Sequence, residues 1–280
     1  MGCRTIESNL IAHCAAISGS EKGRQWKVAL ALLAAWGRRR LPLQAKSVVA
    51  YSAAMAALIH AGRWMQALAL LSEARSGRLQ VSLITYSTAI SACEQGSQWP
   101  QALALLDEMR GSRLPPDIAS YSAAISACAH EWQRALLLFA EMQSNSLESD
   151  SIAFLAVLDA CENEFQWRLA LCLLADLEQQ GLQGSVPIYS SVITSLEKIG
   201  NWRAALSLLT RCDQQYLSAD LIIQNAALGA CQLRGAWAKA LRLAAALDTR
   251  KLQANVLTFD KALNAAALGL RTVAAAPMLH

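Results

Sequence analysis

Charge is scarce in this chain. Only 16% of its 280 residues are Asp, Glu, Lys or Arg, and base exceeds acid by four, giving an isoelectric point near 8.7. That balance tolerates a polyanionic partner without demanding one. Any grip on nucleic acid would lean less on phosphates than usual. GRRR at 37–40 is the one dense basic run, and a solvated loop accounts for it. Long apolar runs are missing too. The cleanest, VALALLAAW at 28–36, falls far short of the roughly 18–20 residues that cross a bilayer. A spanning helix is therefore excluded, and no membrane partner is expected. Eight cysteines are present, but none forms a CxxC pair or a Cys/His set with zinc spacing. Free Cys behaves as a small buried hydrophobe, so a reduced, intracellular protein is the plain interpretation. No targeting segment is visible: MGCRTIESNL is too short and too weakly basic. Ile6 stands where a myristoylation signal needs Ser or Thr.

The residues of common catalytic sites are equally thin. Histidine occurs four times, as His13, His60, His130 and His280, with no HxE followed by CxxC, which excludes zinc-deaminase chemistry. No Walker-type loop and no GxGxxG occurs. His130 and Glu131 adjoin in a turn and read as a solvated pair, and the carboxylates are too scattered for a nuclease cluster. Enzymatic activity, a metal, a cofactor and a small-molecule substrate are not expected.

What the chain does have is repetition. Hydrophobic residues make up 54% of it, much of that Ala and Leu, which favour helices. An anchor, usually aromatic, recurs as His13, Tyr51, Tyr86, Tyr121, Phe154, Tyr189, Gln224 and Phe259, at spacings of 38, 35, 35, 33, 35, 35 and 35. Trp26, Trp64, Trp99, Trp132, Trp167, Trp202 and Trp237 follow these anchors by 13 residues, or by 11 in the fourth repeat. Leu79, Leu114, Leu147, Leu182, Leu217 and Leu252 precede the next anchor by seven. A fixed period of this length marks a repeat architecture.

Each unit is helical twice. Tyr86, Ile90 and Cys93 form the stripe of a first helix, and Trp99, Ala102, Leu103, Leu106 and Met109 that of a second. EQGSQ lies between them as a polar turn, and Pro100 falls where a missing N–H costs little. RGSRLPPD then ends the unit. Cys93, Cys128, Cys161 and Cys231 share one place in the repeat. Neither helix can hide its stripe alone, so neighbouring hairpins must stack. The expected fold is all-α, an α-solenoid of about seven stacked helix-turn-helix repeats plus a partial eighth at about 254–269. Residues 1–9 would form a short lead, 10–269 the solenoid and 270–280 a tail. That tail, RTVAAAPMLH, reads as a truncated end rather than a polar cap.

This unit, with LPPDIASYSAAISAC at 114–128 as its junction, resembles the pentatricopeptide repeat family over about residues 10–269. The resemblance implies a right-handed superhelix that binds single-stranded RNA, one base per repeat. It implies base reading by the residue after the anchor together with the last residue of the repeat. These are Ser52 with Ser82, Ser87 with Asp117, Ser122 with Asp150, Leu155 with Ser185, Ser190 with Asp220, and Asn225 with Asn255; in the first repeat they would be Cys14 with Ser47. It implies base sandwiching by the residue two before the anchor: Val49, Ile84, Ala119, Ile152, Pro187, Ile222 and Leu257, with Ile11 in the first repeat.

Ser with Asp favours guanine in this family, and Asn with Asn a pyrimidine. Leu155 can neither donate nor accept, so its repeat is expected to be blind. The RNA implied is (A or any)-G-G-(any)-G-(C or U) along repeats two to seven. The family's late first-helix Lys appears only as Lys22 and Lys198, which weakens the case for phosphate contacts. Ser and Asp are also favoured near helix starts for capping alone. The family further implies organellar work, in mitochondrion or chloroplast, on RNA processing, stability, editing or translation, with RNA-processing proteins as further partners. The alternatives are a tetratricopeptide-like protein-binding scaffold without RNA, or a degenerate copy with no partner of its own.

Overall fold

The computed structural model describes residues 15–19, 25–38, 48–77, 79, 81–145, 147, 150–215, 221–249 and 256–275. Among these there is no strand, and the chain divides into two units, 1–129 with 133–149 and 130–132 with 150–280. The first unit holds α1 (Trp26–Arg38), α2 (Val48–His60), α3 (Trp64–Ser76), α4 (Leu83–Gln95), α5 (Trp99–Gly111), α6 (Ile118–Ala127) and all but the first residue of α7 (Trp132–Ser144). The second holds α8 (Ser151–Asn163), α9 (Trp167–Gln179), α10 (Val186–Ile199), α11 (Trp202–Gln214), α12 (Leu221–Leu233), α13 (Trp237–Thr249) and α14 (Val256–Ala275).

Each unit is a two-layer stack. In the first, α2, α4 and α6 lie side by side, while α3 packs on α2 and α4, and α5 on α4 and α6. In the second, α8, α10, α12 and α14 form the row, with α9, α11 and α13 each packed on the first helix before it and the one after. The expected all-α helix-turn-helix solenoid is what these residues form. The last helix runs on to Ala275, past the expected end at 269.

The registers acquire physical roles. The anchors Tyr51, Tyr86, Tyr121, Phe154 and Tyr189 are buried, as are Cys93, Cys128, Cys161 and Cys231. Burying each large side chain contributes about 1.5–3 kcal/mol. In α5 the buried stripe is Ala102, Leu105, Leu106 and Met109, while Leu103 is only half-buried. The expected stripe chose Leu103 over Leu105. Both flank the same helical face, and with α5 packed on α4 and α6 it is Leu105 that is covered.

Helix ends close by one repeated bond, an N–H reaching five residues back. Gln98 N–H donates to the Cys93 carbonyl at 2.9 Å, Gln166 to Cys161 at 2.8 Å and Asn201 to Leu196 at 3.0 Å. The same bond ends second helices through the Leu register, as Leu114 N–H to Met109 at 3.0 Å and Leu182 N–H to Leu177 at 3.2 Å. Such a closure needs a left-handed residue, supplied by Gly200 at φ 74° but by Ser97 at φ 51° and Phe165 at φ 59° elsewhere.

Candidate nucleic-acid interface

The first helices bury most of their surface and leave one narrow stripe to solvent. In α8, residues 153, 154, 156–158, 160 and 161 are buried, and Ile152, Leu155, Asp159 and Asn163 stand among the uncovered ones at i, i+3, i+7 and i+11. That spacing keeps all four on one face. The same stripe recurs along each unit's row. Its first member is the sandwiching position: Val49 is 59% exposed, Ile84 67%, Ile152 65% and Ile222 65%, and Ala119 and Pro187 are exposed beside them. An aliphatic side chain that merely closed a helix start would be covered. These are not. The side chain of Leu257 lies outside the described residues.

The reading positions follow one turn later. Ser52, Ser87, Leu155 and Ser190 are half-buried. The Ser52 hydroxyl donates to the Val49 carbonyl and that of Ser87 to the Ile84 carbonyl, both at 3.0 Å. Each therefore offers its lone pairs outward as acceptors. Ser122 and Asn225 sit deeper, at 7% and 6% exposed. Ser122 Oγ is buried with no hydrogen-bond partner among the described residues. Asn225 Oδ1 accepts from the Thr258 hydroxyl at 2.7 Å, and the Asn225 carbonyl accepts from Lys261 at 3.0 Å.

The second reading residues cap the next first helix. Asp117 Oδ1 accepts from the Ser120 N–H at 2.9 Å and its hydroxyl at 2.6 Å. Asp150 Oδ1 accepts from the Ala153 N–H at 2.8 Å. Ser82 accepts from the Thr85 N–H at 3.4 Å and shares a hydroxyl contact with Thr85 at 3.0 Å. Ser185 holds the capping place without a side-chain bond. Capping is thus a real duty of Ser82, Asp117 and Asp150. It occupies one oxygen of each Asp and leaves Oδ2. Asp220 and Asn255 lie outside the described residues, as do Ile11, Cys14, Lys22 and Ser47.

Three features escaped the sequence reading. First, carboxylates line the first-helix face. Burial raises the Glu94, Asp159 and Glu162 carboxyls, opposed by hydrogen bonds from Ser126 to Glu94, Ser191 to Asp159 and Lys198 to Glu162. Second, the cations there are matched. Lys198 meets Glu162 at 3.3 Å and Lys261 meets Glu197 at 2.6 Å. Third, the anchor hydroxyls tie into a ladder on the second helices. Tyr86 donates to Glu108 and Tyr121 to Glu141, both at 3.0 Å, while Arg75 reaches Glu108 at 2.6 Å and Arg110 reaches Glu141 at 2.5 Å. The 35-residue interval of Glu73 to Glu108 and of Arg75 to Arg110 was the signal for that ladder. Among the described residues no helix is long and apolar enough to cross a membrane, and no three metal-ligating side chains gather.

The architecture is shared with solved structures. The chain matches the pentatricopeptide repeat protein PPR10 from maize with a TM-score of 0.68 at 23% identity, covering 95% of this chain and 43% of PPR10. It matches PPR10 in complex with an 18-nt psaJ RNA element with a TM-score of 0.54 at 23% identity, covering 89% of this chain and 40% of that one. The PPR domain of Arabidopsis thaliana protein-only RNase P 1, in complex with tRNA, matches at 0.55 and 15% identity, over 61% of this chain and 91% of that domain. The chain thus spans about two fifths of the length of PPR10. No curated protein sequence matches it. By sequence, residues 69–131 match the pentatricopeptide repeat domain and 187–213 the PPR repeat. With one match in each unit, on hairpins that recur every 35 residues, the matched stretches 69–131 and 187–213 carry pentatricopeptide repeats.

Proposed function

We propose that the chain is a sequence-selective adaptor for single-stranded RNA, taking one base per repeat. The exposed aliphatic row carries this reading. Val49 and Ile84 in the first unit, and Ile152 and Ile222 in the second, recur at repeat spacing, each more than half exposed and one turn before a residue that would touch a base edge. A flat apolar wall beside a few hydrogen-bonding groups suits an unpaired base, whose faces are apolar and whose edge is polar. PPR10 carries its RNA element, and the protein-only RNase P 1 domain its tRNA, on this architecture. The family's usual setting, RNA processing, stability, editing or translation in mitochondrion or chloroplast, is carried over with that reading, as are RNA-processing proteins as partners.

The test is retention of a random single-stranded RNA pool by the full chain, against the variant Ile84→Ala, Ile152→Ala, Ile222→Ala. These side chains are solvent-exposed, so helix content and melting temperature should hold. Retention should fall at least ten-fold in the variant, since aromatic-type stacking is worth about 1–3 kcal/mol per base and aliphatic packing somewhat less. Undiminished retention would remove the base-sandwiching row. Absence of RNA alongside a tightly co-purifying protein would favour the scaffold reading.

A further inference from the structure

The fifth repeat is blind at Leu155, but its first helix carries an acid on the same stripe. We infer that Asp159 reads the base of the fifth repeat in place of Leu155, with guanine as its preferred partner, and that Ser191 of the sixth repeat positions it. The inference rests on the RNA-binding reading above.

Asp159 follows Leu155 by four residues, about 6 Å along the helix axis, and stands exposed on the stripe that Ile152 begins. Equivalent positions in the other complete hairpins are Ser18, Ala56, Ser91, Ser126, Thr194 and Gly229. A carboxylate is therefore peculiar to the one complete hairpin whose first reading residue has no polar group. Neighbouring first helices pack without an acid at this place in the other hairpins, so stacking does not call for one.

The acid is also aimed. The Ser191 hydroxyl donates to Asp159 Oδ1 at 2.5 Å, and Ser191 is itself buried. This fixes one oxygen against the next helix. Oδ2 has no hydrogen-bond partner among the described residues, and Oδ1 keeps a second lone pair. Lys198, a cation on this face, is occupied by the Glu162 carboxylate at 3.3 Å and its carbonyl at 2.9 Å. An acceptor pair held this way selects a base edge with two adjacent donors. Guanine offers N1–H and N2–H side by side, whereas adenine, cytosine and uracil each offer a single donor position there.

Four single-stranded RNAs that differ only in the base opposite the fifth repeat separate the outcomes. Guanine is held at the third-, fourth- and sixth-repeat positions, and full-length protein is titrated with each RNA by fluorescence anisotropy. Wild type should favour guanine at the fifth position by about five-fold or more, the lower end for a paired edge contact. Asp159→Ala and Asp159→Asn should abolish that preference and leave the third-repeat preference intact. Ser191→Ala should reduce it. No fifth-position preference in wild type, alongside a clear one at the third, overturns the inference and leaves RNA reading standing. So does an equal rise in affinity for all four RNAs on Asp159→Ala, which would mark the acid as mere repulsion. Failure to bind any of the four removes the RNA reading itself, and this inference with it.

Discussion

Ser122 is a residue at which RNA binding and stability should respond differently to one change. Its hydroxyl is buried and unpartnered, a condition that costs stability unless something supplies the missing bond. Ser122→Ala should therefore leave stability unchanged or raise it by up to about 1 kcal/mol, read by thermal melting of the free protein. The same change should weaken binding to RNA with guanine at the fourth-repeat position. Tyr121 behaves oppositely. Its ring is buried, and its hydroxyl donates to Glu141 and accepts from Asn145, each at 3.0 Å. Tyr121→Phe removes both bonds and should cost about 1–2 kcal/mol in denaturant titration, whether or not RNA is present. The Arg110–Glu141 pair on the same ladder is more than a third exposed, and such pairs contribute about 0–1 kcal/mol.

Among the elements, the hairpin was legible in the sequence because its signals are local. A 35-residue period, an anchor, a Trp and a Leu fix both helices, and the Pro and Asp at 115–117 fix the junction. Burial of Cys93, Cys128, Cys161 and Cys231 followed from their shared place. What stayed hidden depends on neighbours. Periodicity gives a buried face but does not choose between Leu103 and Leu105 at its rim. Asp159 took its meaning from Ser191, 32 residues on, and Lys198 lost its free charge to Glu162. Nor could spacing say whether Asp117 caps or reads, because the same residue stands at a helix start and beside the open stripe. The turns make their own prediction. Ser97 occupies a left-handed position at φ 51°, which costs a side-chain-bearing residue about 1–2 kcal/mol. Ser97→Gly should stabilise by roughly 0.5–1 kcal/mol once the entropy of Gly is deducted, measured by chemical denaturation.

At the scale of the whole molecule, buried thiols set an alkaline limit. Burial pushes Cys93, Cys161, Cys212 and Cys231 up to about 11 from an ordinary 9.0. The unfolded chain releases these protons first, so their contribution is fully present below about pH 9 and drains away as pH rises through 11. The melting temperature should fall steadily across that window, and less so after Cys→Ala at two of these sites. Charge pairing sets a second expectation. Lys198 and Lys261, the lysines of the described first helices, each face a carboxylate, so that face offers phosphates little free positive charge. The slope of log affinity against log salt for single-stranded RNA should stay shallower than about −2. The account turns on side chains along the first helices distinguishing bases, and one comparison tests that most directly: the affinity of the full chain for single-stranded RNA with guanine at the third- and fourth-repeat positions against the same RNA with cytosine there. The account predicts tighter binding of the guanine RNA by ten-fold or more, about 1.4 kcal/mol. Equal affinity for the two would contradict it.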